Sequence, residues 1–281
     1  AVIGDILDAD ALRSACEGCD WVFHAAAIAD YWRADQARMF EANVEGTRLI
    51  LQAAQVAGVA RVVFTSSAAA VGLRRNGALS DEAAPFNLPP RQFPYGYSKA
   101  LAERVVAQAV LAGQDVVTLN PVMVLGPGDL NLISGSFILQ TKQYGWLTPI
   151  TAGGACVVDV RDVAGWHVAA AERGIAGERY ILGATNIDYA AWFALIAETV
   201  GVRRPWLRVP SALLPIIANA IDLARRLGVD TPIDAAQTRL GGAYVYFAYD
   251  KAWAAFGAPQ YALADTVRDT AAWYVAHGYM R

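Results

Sequence analysis

The chain has 281 residues, a formal net charge of −3, 56% hydrophobic residues and 17% charged residues. This apolar content is enough for a sizeable core and too high for a disordered polypeptide. The slightly acidic balance argues against nucleic-acid binding, which requires a basic face. The length suits one main domain with a smaller second lobe.

The predicted elements alternate between helix and strand in the first half of the chain, which predicts a parallel sheet. In chain order they are a helix at 9–17, a strand at 21–25, a helix at 35–57, a strand at 61–65, a loop at 73–93, a helix at 98–111 and a strand at 115–119. The later predictions are a strand at 179–182 and helices near 189–200, 211–227 and 263–277. The weaker alternation after residue 120 predicts a mixed lobe, with the chain crossing back to the first sheet near 157–160.

Cys16 and Cys19 have the C-x-x-C spacing of redox and metal sites. A zinc site needs two more ligands, and the sequence has no second such pair and no clustered histidines. Gly18 stands where a glycine would end the first helix, so we predict a structural role and no metal site. The odd number of cysteines, three, fits a reducing compartment and predicts a cytoplasmic location.

The most membrane-like segment is 212–224, which a proline and an aspartate interrupt. Its apolar run is too short to span a bilayer, so we predict no transmembrane segment. An amphipathic core helix is the favoured interpretation, and a membrane-surface contact is the alternative.

The strongest chemical signal is Tyr95-Gly96-Tyr97-Ser98-Lys99, at the start of a helical run. Tyr95 and Lys99 are four residues apart and share one helix face, where the cation is expected to lower the pKa of the phenol. Such a phenol can protonate a carbonyl oxygen, or deprotonate an alcohol, while hydride moves, and a serine from a neighbouring strand end can hold the same oxygen. Side chains cannot supply a hydride, so a nicotinamide cofactor is implied. The alternative is that both residues are ordinary surface residues of a helix with no catalytic role.

Five segments, in order, resemble the extended short-chain dehydrogenase/reductases, also called the NAD-dependent epimerase/dehydratase family. They are 22–27, 43–47, 63–67 with 71–72, 95–103, and 120–128 with 158–164. The resemblance runs from Gly4 to the C-terminus and is closest to the dihydroflavonol-reductase-like and hopanoid-associated epimerase-like branch. It implies an α/β fold, a Rossmann-type doubly wound parallel sheet with a smaller mixed C-terminal substrate lobe, and NAD or NADP as cofactor.

By this resemblance Tyr95 is the acid-base group, Lys99 tunes it and binds the nicotinamide ribose, and Ser67 orients the reacting oxygen, with Ser66 as its rival. The other implied cofactor-binding residues are Asp5 and Ile6 near the adenine, Ala25, Ala26 and Ala27 at the end of the fourth family strand, Asn43, and Pro121 on the nicotinamide side. Asn43 has the alternative role of capping or bridging backbone, and the alanines that of tight packing. We expect His24 and His167 to be packed, and Asp162 to cap a helix that starts at Val163.

The family begins with a strand, a glycine-rich turn and a helix, and the cofactor pyrophosphate rests on that helix. This sequence has no such turn: Gly126-Pro127-Gly128 lacks a third glycine at Asn131. The first residues resemble the end of the family's third strand, so we interpret the chain as lacking two βα units, roughly 60 residues. We then expect the strand at 21–25 to be an unpaired sheet edge, with residues 62–64 also facing a gap. We also expect the chain to fold poorly in isolation and to bind a dinucleotide weakly. The choice between NAD and NADP stays open.

Aromatic residues at 31–32 and at Tyr144 and Trp146 predict an apolar pocket for a small molecule. We predict an oxidoreductase acting on a C=O/CHOH carbon of a hydrophobic or sugar-like substrate. One alternative is a nucleotide-sugar epimerase or dehydratase, whose diphosphate would need cations such as Arg33, Arg38, Arg161 and Arg204. The other is a non-catalytic dinucleotide sensor.

The resemblance also implies a domain division and a homodimer. Residues 1–120 would form the dinucleotide-binding domain, to which 155–185 return, and residues 121–154 and 186–281 would form most of the substrate lobe. The homodimer would form through the helices at 35–57 and 98–111.

Overall fold

A computed structural model describes residues 1–29, 35–74, 77–229, 231 and 235–280. Its strands are β1 (Trp21–His24), β2 (Arg61–Thr65), β3 (Val116–Pro121), β4 (Met123–Leu125), β5 (Gly154–Asp159), β6 (Arg179–Leu182), β7 (Thr185–Asp188) and β8 (Tyr244–Val245). The first sheet is parallel, with the order β1-β2-β3-β6. In the second sheet β5 pairs with β4 and β8 in parallel and with β7 antiparallel.

Some helices cover the two faces of the first sheet, and the others pack with the second sheet or with one another. The helices are α1 (Ala9–Cys16), α2 (Gln36–Phe40), α3 (Gly46–Val56), α4 (Pro94–Leu111), α5 (Ser136–Tyr144), α6 (Val160–Arg173), α7 (Tyr189–Thr199), α8 (Leu214–Arg226), α9 (Ala235–Leu240), α10 (Asp250–Phe256) and α11 (Leu263–Ala276). Val62 and Phe64 of β2 pack with α1, α3 and α4, whereas Val63 packs with α6. This two-sided burial explains the continuous apolar run of the strand and confirms the predicted Rossmann-type α/β class.

β2 and β6 have the predicted bounds. The predicted helix at 98–111 begins earlier, at Pro94, because proline is favoured in the first turn, where a missing N–H costs nothing. The predicted long helix at 35–57 is interrupted by a π-helical turn at Glu41–Glu45, and Asn43 lies inside that turn. π-turns of this kind often mark functional sites.

The edge of the first sheet differs in part from the expectation. Within the described part of the chain β1 pairs with β2 alone, and Trp21 and Phe23 are 42% and 44% exposed. The expectation that residues 62–64 face a gap is wrong, because helices cover both sides of β2 and all three side chains are at most 2% exposed.

Only part of segment 155–185 joins the first sheet. β6 pairs with β3, whereas β5, where the chain was expected to cross back, lies in the second sheet. The division into two domains therefore stays a prediction.

The start of α6 also differs from the expectation. Asp159 is its cap, because one of its carboxylate oxygens accepts the N–H of Arg161 at 2.8 Å. Asp162 is buried in the first turn and accepts the N–H groups of Gln260 and Tyr261, so the predicted cap at Asp162 is wrong. It instead joins α6 to the segment before α11.

The most membrane-like segment of the sequence, 212–224, overlaps α8. Leu214, Ala218 and Ile221 are buried against the rest of the protein, which agrees with the core-helix interpretation. Among the described residues no helix combines the length and apolarity needed to cross a bilayer.

Candidate active site

A cavity of about 230 Å³ opens at the carboxyl ends of β1, β2 and β3. Its lining consists of Ala25, Ala27, Ala29, Thr65, Ser66, Ser67, Tyr95, Lys99, Pro121, Val122 and Val124. In doubly wound sheets ligands bind outside the carboxyl ends of the strands, because the loops that follow the strands leave a crevice there. The topology therefore brings Ser67, Tyr95, Lys99 and Pro121 to one place from separate parts of the sequence.

The two serines after β2 have different partners. The hydroxyl of Ser66 is buried and donates to the carboxylate of Glu103 at 2.5 Å. The hydroxyl of Ser67 accepts the N–H of Ala69 at 3.1 Å and hydrogen-bonds with Tyr95. Because Ser66 has committed its single proton to Glu103, this geometry favours Ser67 as the hydroxyl that acts with Tyr95.

The environment of Tyr95 differs from the expectation. Burial raises the pKa of its phenol, and the hydrogen bond with Ser67 offsets this only in part. The lowering of this pKa expected from Lys99 does not contribute to the shift, and the ammonium group of Lys99 donates to the backbone oxygen of Thr65. Tyr95 therefore keeps its proton at neutral pH and is set up as an acid.

Lys99 is only 3% exposed. Its Nζ donates to the oxygen of Thr65 at 3.0 Å and lies 5.4 Å from the centre of the Phe64 ring. Burial lowers the pKa of Lys99 to about 8, and the negative charge of Glu103 opposes this change. A small change in the surroundings can therefore switch this group between its charged and neutral forms near neutral pH.

Asn43 bridges backbone and helix instead of lining the cavity. Its Oδ1 accepts the N–H of Ile28 at 2.8 Å, and its Nδ2 donates to the oxygen of Ile28 and to the hydroxyl of Ser98. These bonds join the segment after β1 to the first turns of α4. The observed contacts match the bridging role considered for Asn43.

The other predicted cofactor residues divide into two groups. Ala25, Ala27 and Pro121 line the cavity, and Ala26 is not part of the lining. Asp5 accepts the N–H of Leu7 at 3.0 Å, and Ile6 packs against Gly46 of α3, so neither contributes to the cavity.

Both histidines have partners that fix their tautomers. Thr47 uses its proton on the oxygen of Asn43, so Nε2 of His24 must donate to the Thr47 hydroxyl, at 3.0 Å. Burial, helped by the charge of Lys99, lowers the pKa of His24 to about 4. His167 contacts the oxygen of Val163 through Nδ1, so its Nε2 accepts from the hydroxyl of Thr65.

The candidate cations for a diphosphate are engaged elsewhere or exposed. Arg161 pairs with Asp159 and Asp269, and Arg204 pairs with Glu198. Arg38 is exposed, 3.9 Å from Asp5. Arg33 and the aromatic residues Tyr31 and Trp32 lie outside the described residues. Trp146 is exposed and stacks on Trp206, away from the cavity lining.

Five residues of the site were not singled out from the sequence. Ala29, Thr65, Val122 and Val124 line the cavity, and Glu103 holds Ser66. Glu103 could have been found, because it follows Lys99 by four residues on the same helix face. Nothing in the pattern marks the two valines, since they face the cavity only through the packing of β3 and β4.

A glycine sets the position of α4. A Cβ on Gly96 would lie 2.4 Å from the backbone oxygen of Ala69, whereas one on Gly165, within α6, would meet nothing within 4 Å. Alanine in place of helical glycine normally stabilises by about 1 kcal/mol. We expect Gly165→Ala to follow this rule and Gly96→Ala to lower the free energy of unfolding by about 1–3 kcal/mol, because the helix must shift. Urea denaturation of both variants tests this, and equal stabilisation would contradict it.

This chain is similar in sequence to a family of known proteins. The model of the 3-beta hydroxysteroid dehydrogenase/isomerase family matches residues 1–185. The chain belongs to this family. Its members are NAD(P)-dependent enzymes, and the predicted resemblance to the extended short-chain dehydrogenase/reductases is confirmed.

Relatives and a solved structure extend the match beyond residue 185. A Synechocystis sp. protein that carries the name dihydroflavonol 4-reductase is 32% identical over 100% of this chain and 83% of its own length. Cinnamoyl-CoA reductase 2 of Arabidopsis thaliana is 39% identical over 69% of this chain and 60% of its own. A nucleoside-diphosphate-sugar epimerase from Pseudomonas aeruginosa has a TM-score of 0.79 at 25% identity and covers 99% of this chain, which spans 83% of that one.

The residues present fit the nicotinamide end of a dinucleotide. Small side chains at Ala25 and Ala27 leave room at the end of β1, and the buried ammonium of Lys99 can donate to ribose hydroxyls. Tyr95 and Ser67 lie on the wall of the same cavity. The sequence contains no glycine-rich phosphate-binding turn of the usual spacing, so these residues account for one end of the cofactor only.

Proposed function

We propose that this chain reduces a C=O carbon, or oxidises the matching CHOH carbon, of a hydrophobic small molecule, through Ser67, Tyr95 and Lys99. The observation that carries the proposal is the meeting of these three side chains on one cavity at the carboxyl ends of three parallel strands. Membership of an NAD(P)-dependent family supports it.

Each residue has a separate part in the proposed reaction. A bound NAD(P)H supplies the hydride. The phenol of Tyr95 donates its proton to the carbonyl oxygen, and the hydroxyl of Ser67 holds that oxygen in place. Lys99 orients the ribose and adds a positive charge beside the phenol. Tyr95 carries at neutral pH the proton that reduction consumes, because burial raises the pKa of a group that is already a weak acid.

The cavity favours an apolar substrate. Alanine, proline and valine side chains make up most of its described lining, and Lys99 is the one charged side chain among the lining residues. A diphosphate would need further cations, and Arg161 and Arg204 are paired elsewhere. The names of the family and of the dihydroflavonol 4-reductase relative agree with an apolar substrate.

An epimerase is the second candidate, and the likeness to the Pseudomonas aeruginosa sugar epimerase supports it. Oxidation and re-reduction at one carbon would use the same three residues. A dinucleotide sensor is the third candidate, but it predicts loss of Tyr95 or Lys99, and both are present. The homodimer and the choice between NAD and NADP also stay predictions.

One set of assays separates the three candidates. The purified chain is incubated with saturating NADH or NADPH and a panel of hydrophobic ketones and aldehydes, and separately with NAD(P)+ and UDP-sugars. Net loss of the reduced cofactor with formation of alcohol supports the proposal. Inversion of a sugar carbon without net cofactor change would establish the epimerase instead, and binding with neither reaction would establish the sensor.

A further inference from the structure

Glu103 holds several parts of the site together. Its Oε1 accepts from the hydroxyl of Ser66 at 2.5 Å and from Nδ2 of Asn120 at 2.6 Å, and its Oε2 accepts from Nη1 of Arg179 at 2.8 Å. The side chain of Glu103 is only 14% exposed. One carboxylate on α4 therefore connects the ends of β2 and β3 with β6.

The same network reaches the main chain of Ser67. Nδ2 of Asn120 donates to the backbone oxygen of Ser67 at 2.9 Å as well as to Glu103. Asn120 is fully buried at the end of β3. A shift of the Glu103 carboxylate would therefore move both Asn120 and Ser66. Ser67 would move with them, because it follows Ser66 in the chain and its backbone oxygen accepts from Asn120.

Arg179 anchors the carboxylate from the other side. Its guanidinium also donates to the backbone oxygens of Glu82 at 2.6 Å and of Ala84 at 3.0 Å. A buried carboxylate is costly unless it is paired and hydrogen-bonded. Glu103 satisfies this condition through three donors, so its position is well determined.

Glu103 also follows Lys99 by one helical turn. Tyr95, Lys99 and Glu103 occupy positions i, i+4 and i+8 of α4 and so share one face. The other titratable groups near Lys99 are His24 on β1 and Tyr95 on α4. Two further groups are linked to Lys99 indirectly: Arg179 pairs with Glu103, and His167 of α6 hydrogen-bonds to Thr65. Of these groups, Glu103 supplies the negative charge that favours the ammonium form of Lys99.

We propose that Glu103 is a positioning residue for the Ser67, Tyr95 and Lys99 group: it occupies Ser66, fixes the backbone of Ser67 and keeps Lys99 cationic. This rests on the proposed function for its effect on turnover. Its effect on Lys99 is a property of the folded protein and can be measured without a substrate.

The test uses the small number of lysines. The chain has three, Lys99, Lys142 and Lys251, so lysine labelled with ¹³C at Cε gives few NMR signals, and Lys99→Arg identifies the signal of Lys99. In Glu103→Gln we expect the pKa of Lys99 to fall below that of the wild type. The matched control is Glu178→Gln, which removes the carboxylate 2.6 Å from Lys251 and should leave the Lys99 titration unchanged.

Kinetic measurements distinguish the effect of Glu103 on the position of the serines from the effect of its charge on Lys99. We expect Glu103→Gln to lower kcat by about 10- to 100-fold with little change in the cofactor KM, because the oxygen-binding serine is misplaced. Glu103→Asp keeps the charge but is too short to reach Ser66, so kcat should fall while the pKa of Lys99 stays close to that of the wild type. This variant also serves if Glu103→Gln does not fold, as judged by circular dichroism.

The outcomes are distinct. An unchanged Lys99 titration in a folded Glu103→Gln protein overturns the proposal, whether or not the chain is a reductase. A lowered pKa in a protein without reductase activity supports the charge role and rejects only the proposed function. If Ser66→Ala abolished turnover as completely as Ser67→Ala, the assignment of Ser66 to a structural bond with Glu103 would be wrong.

Discussion

We expect Tyr95→Phe to lower kcat for carbonyl reduction by about 10²–10⁴-fold, the usual contribution of a positioned proton donor. The substitution removes one oxygen and leaves the ring, so the cavity keeps its shape and cofactor binding should change little. The proton that Tyr95 carries at neutral pH is then missing at the step in which the carbonyl oxygen becomes a hydroxyl.

Tyr97→Phe is the matched control. It removes a phenol from the same turn of α4, where Tyr97 packs against Phe40 and Phe86 and is not part of the cavity lining. Steady-state kinetics of both variants with the same ketone measure the difference. Equal rates for the wild type and Tyr95→Phe would remove the basis of the proposed function.

The second large effect concerns Lys99 and pH. The pKa of Lys99 is about 8 in the folded protein, whereas an ordinary lysine has 10.5. Between these values the unfolded chain binds a proton that the folded chain has released, so the free energy of unfolding rises with pH in this window. A difference of this size corresponds to about 3 kcal/mol.

Lys99→Met removes this titration. We expect the stability of the wild type, relative to Lys99→Met, to increase by up to about 3 kcal/mol as the pH rises from about 8 to 10.5. Below pH 8 the difference should be constant, because both states of the wild type are then protonated. Urea unfolding at a series of pH values gives the two curves.

Lys251→Met is the control for this experiment. Lys251 is partly exposed and pairs with Glu178, so its removal should not reproduce the pH-dependent difference. Parallel curves for the wild type and Lys99→Met across the alkaline window would show that Lys99 titrates as an ordinary surface lysine. In the wild type, kcat is also expected to fall as Lys99 loses its charge above about pH 8.

Sequence patterns predicted correctly those helices and strands whose intrinsic propensity agrees with the way the fold buries them. The apolar runs of β2 and β6 gave their observed bounds, and α7, α8 and α11 were predicted to within three residues. The helix at 35–57 was predicted as continuous, because nothing in the local pattern marked the π-helical turn at Glu41–Glu45. Within this turn Asn43 makes hydrogen bonds to Ile28 and Ser98, which are tertiary contacts that local sequence patterns do not reveal.

The site was predictable where spacing along one helix decides contact. Tyr95 and Lys99 must share a face of α4 at four residues' separation, and the order of motifs placed Ser67 and Pro121 at the ends of neighbouring strands. Asp5 and Ile6 were predicted to lie near the adenine and not at the nicotinamide end, so their place outside this cavity leaves that prediction untested.

The sequence by itself determined the sheet class, through its alternating elements, and the family, through the order of its motifs. It also singled out Ser67, Tyr95 and Lys99 for the proposed site, with Ser66 as the rival serine. Only the tertiary structure decided which serine faces Tyr95, since this depends on where Glu103 lies relative to the end of β2. The direction of the Tyr95 pKa was likewise decided by folding. A cation four residues away can be read from the sequence, but the burial that raises the pKa of Tyr95 arises from segments far apart in the chain.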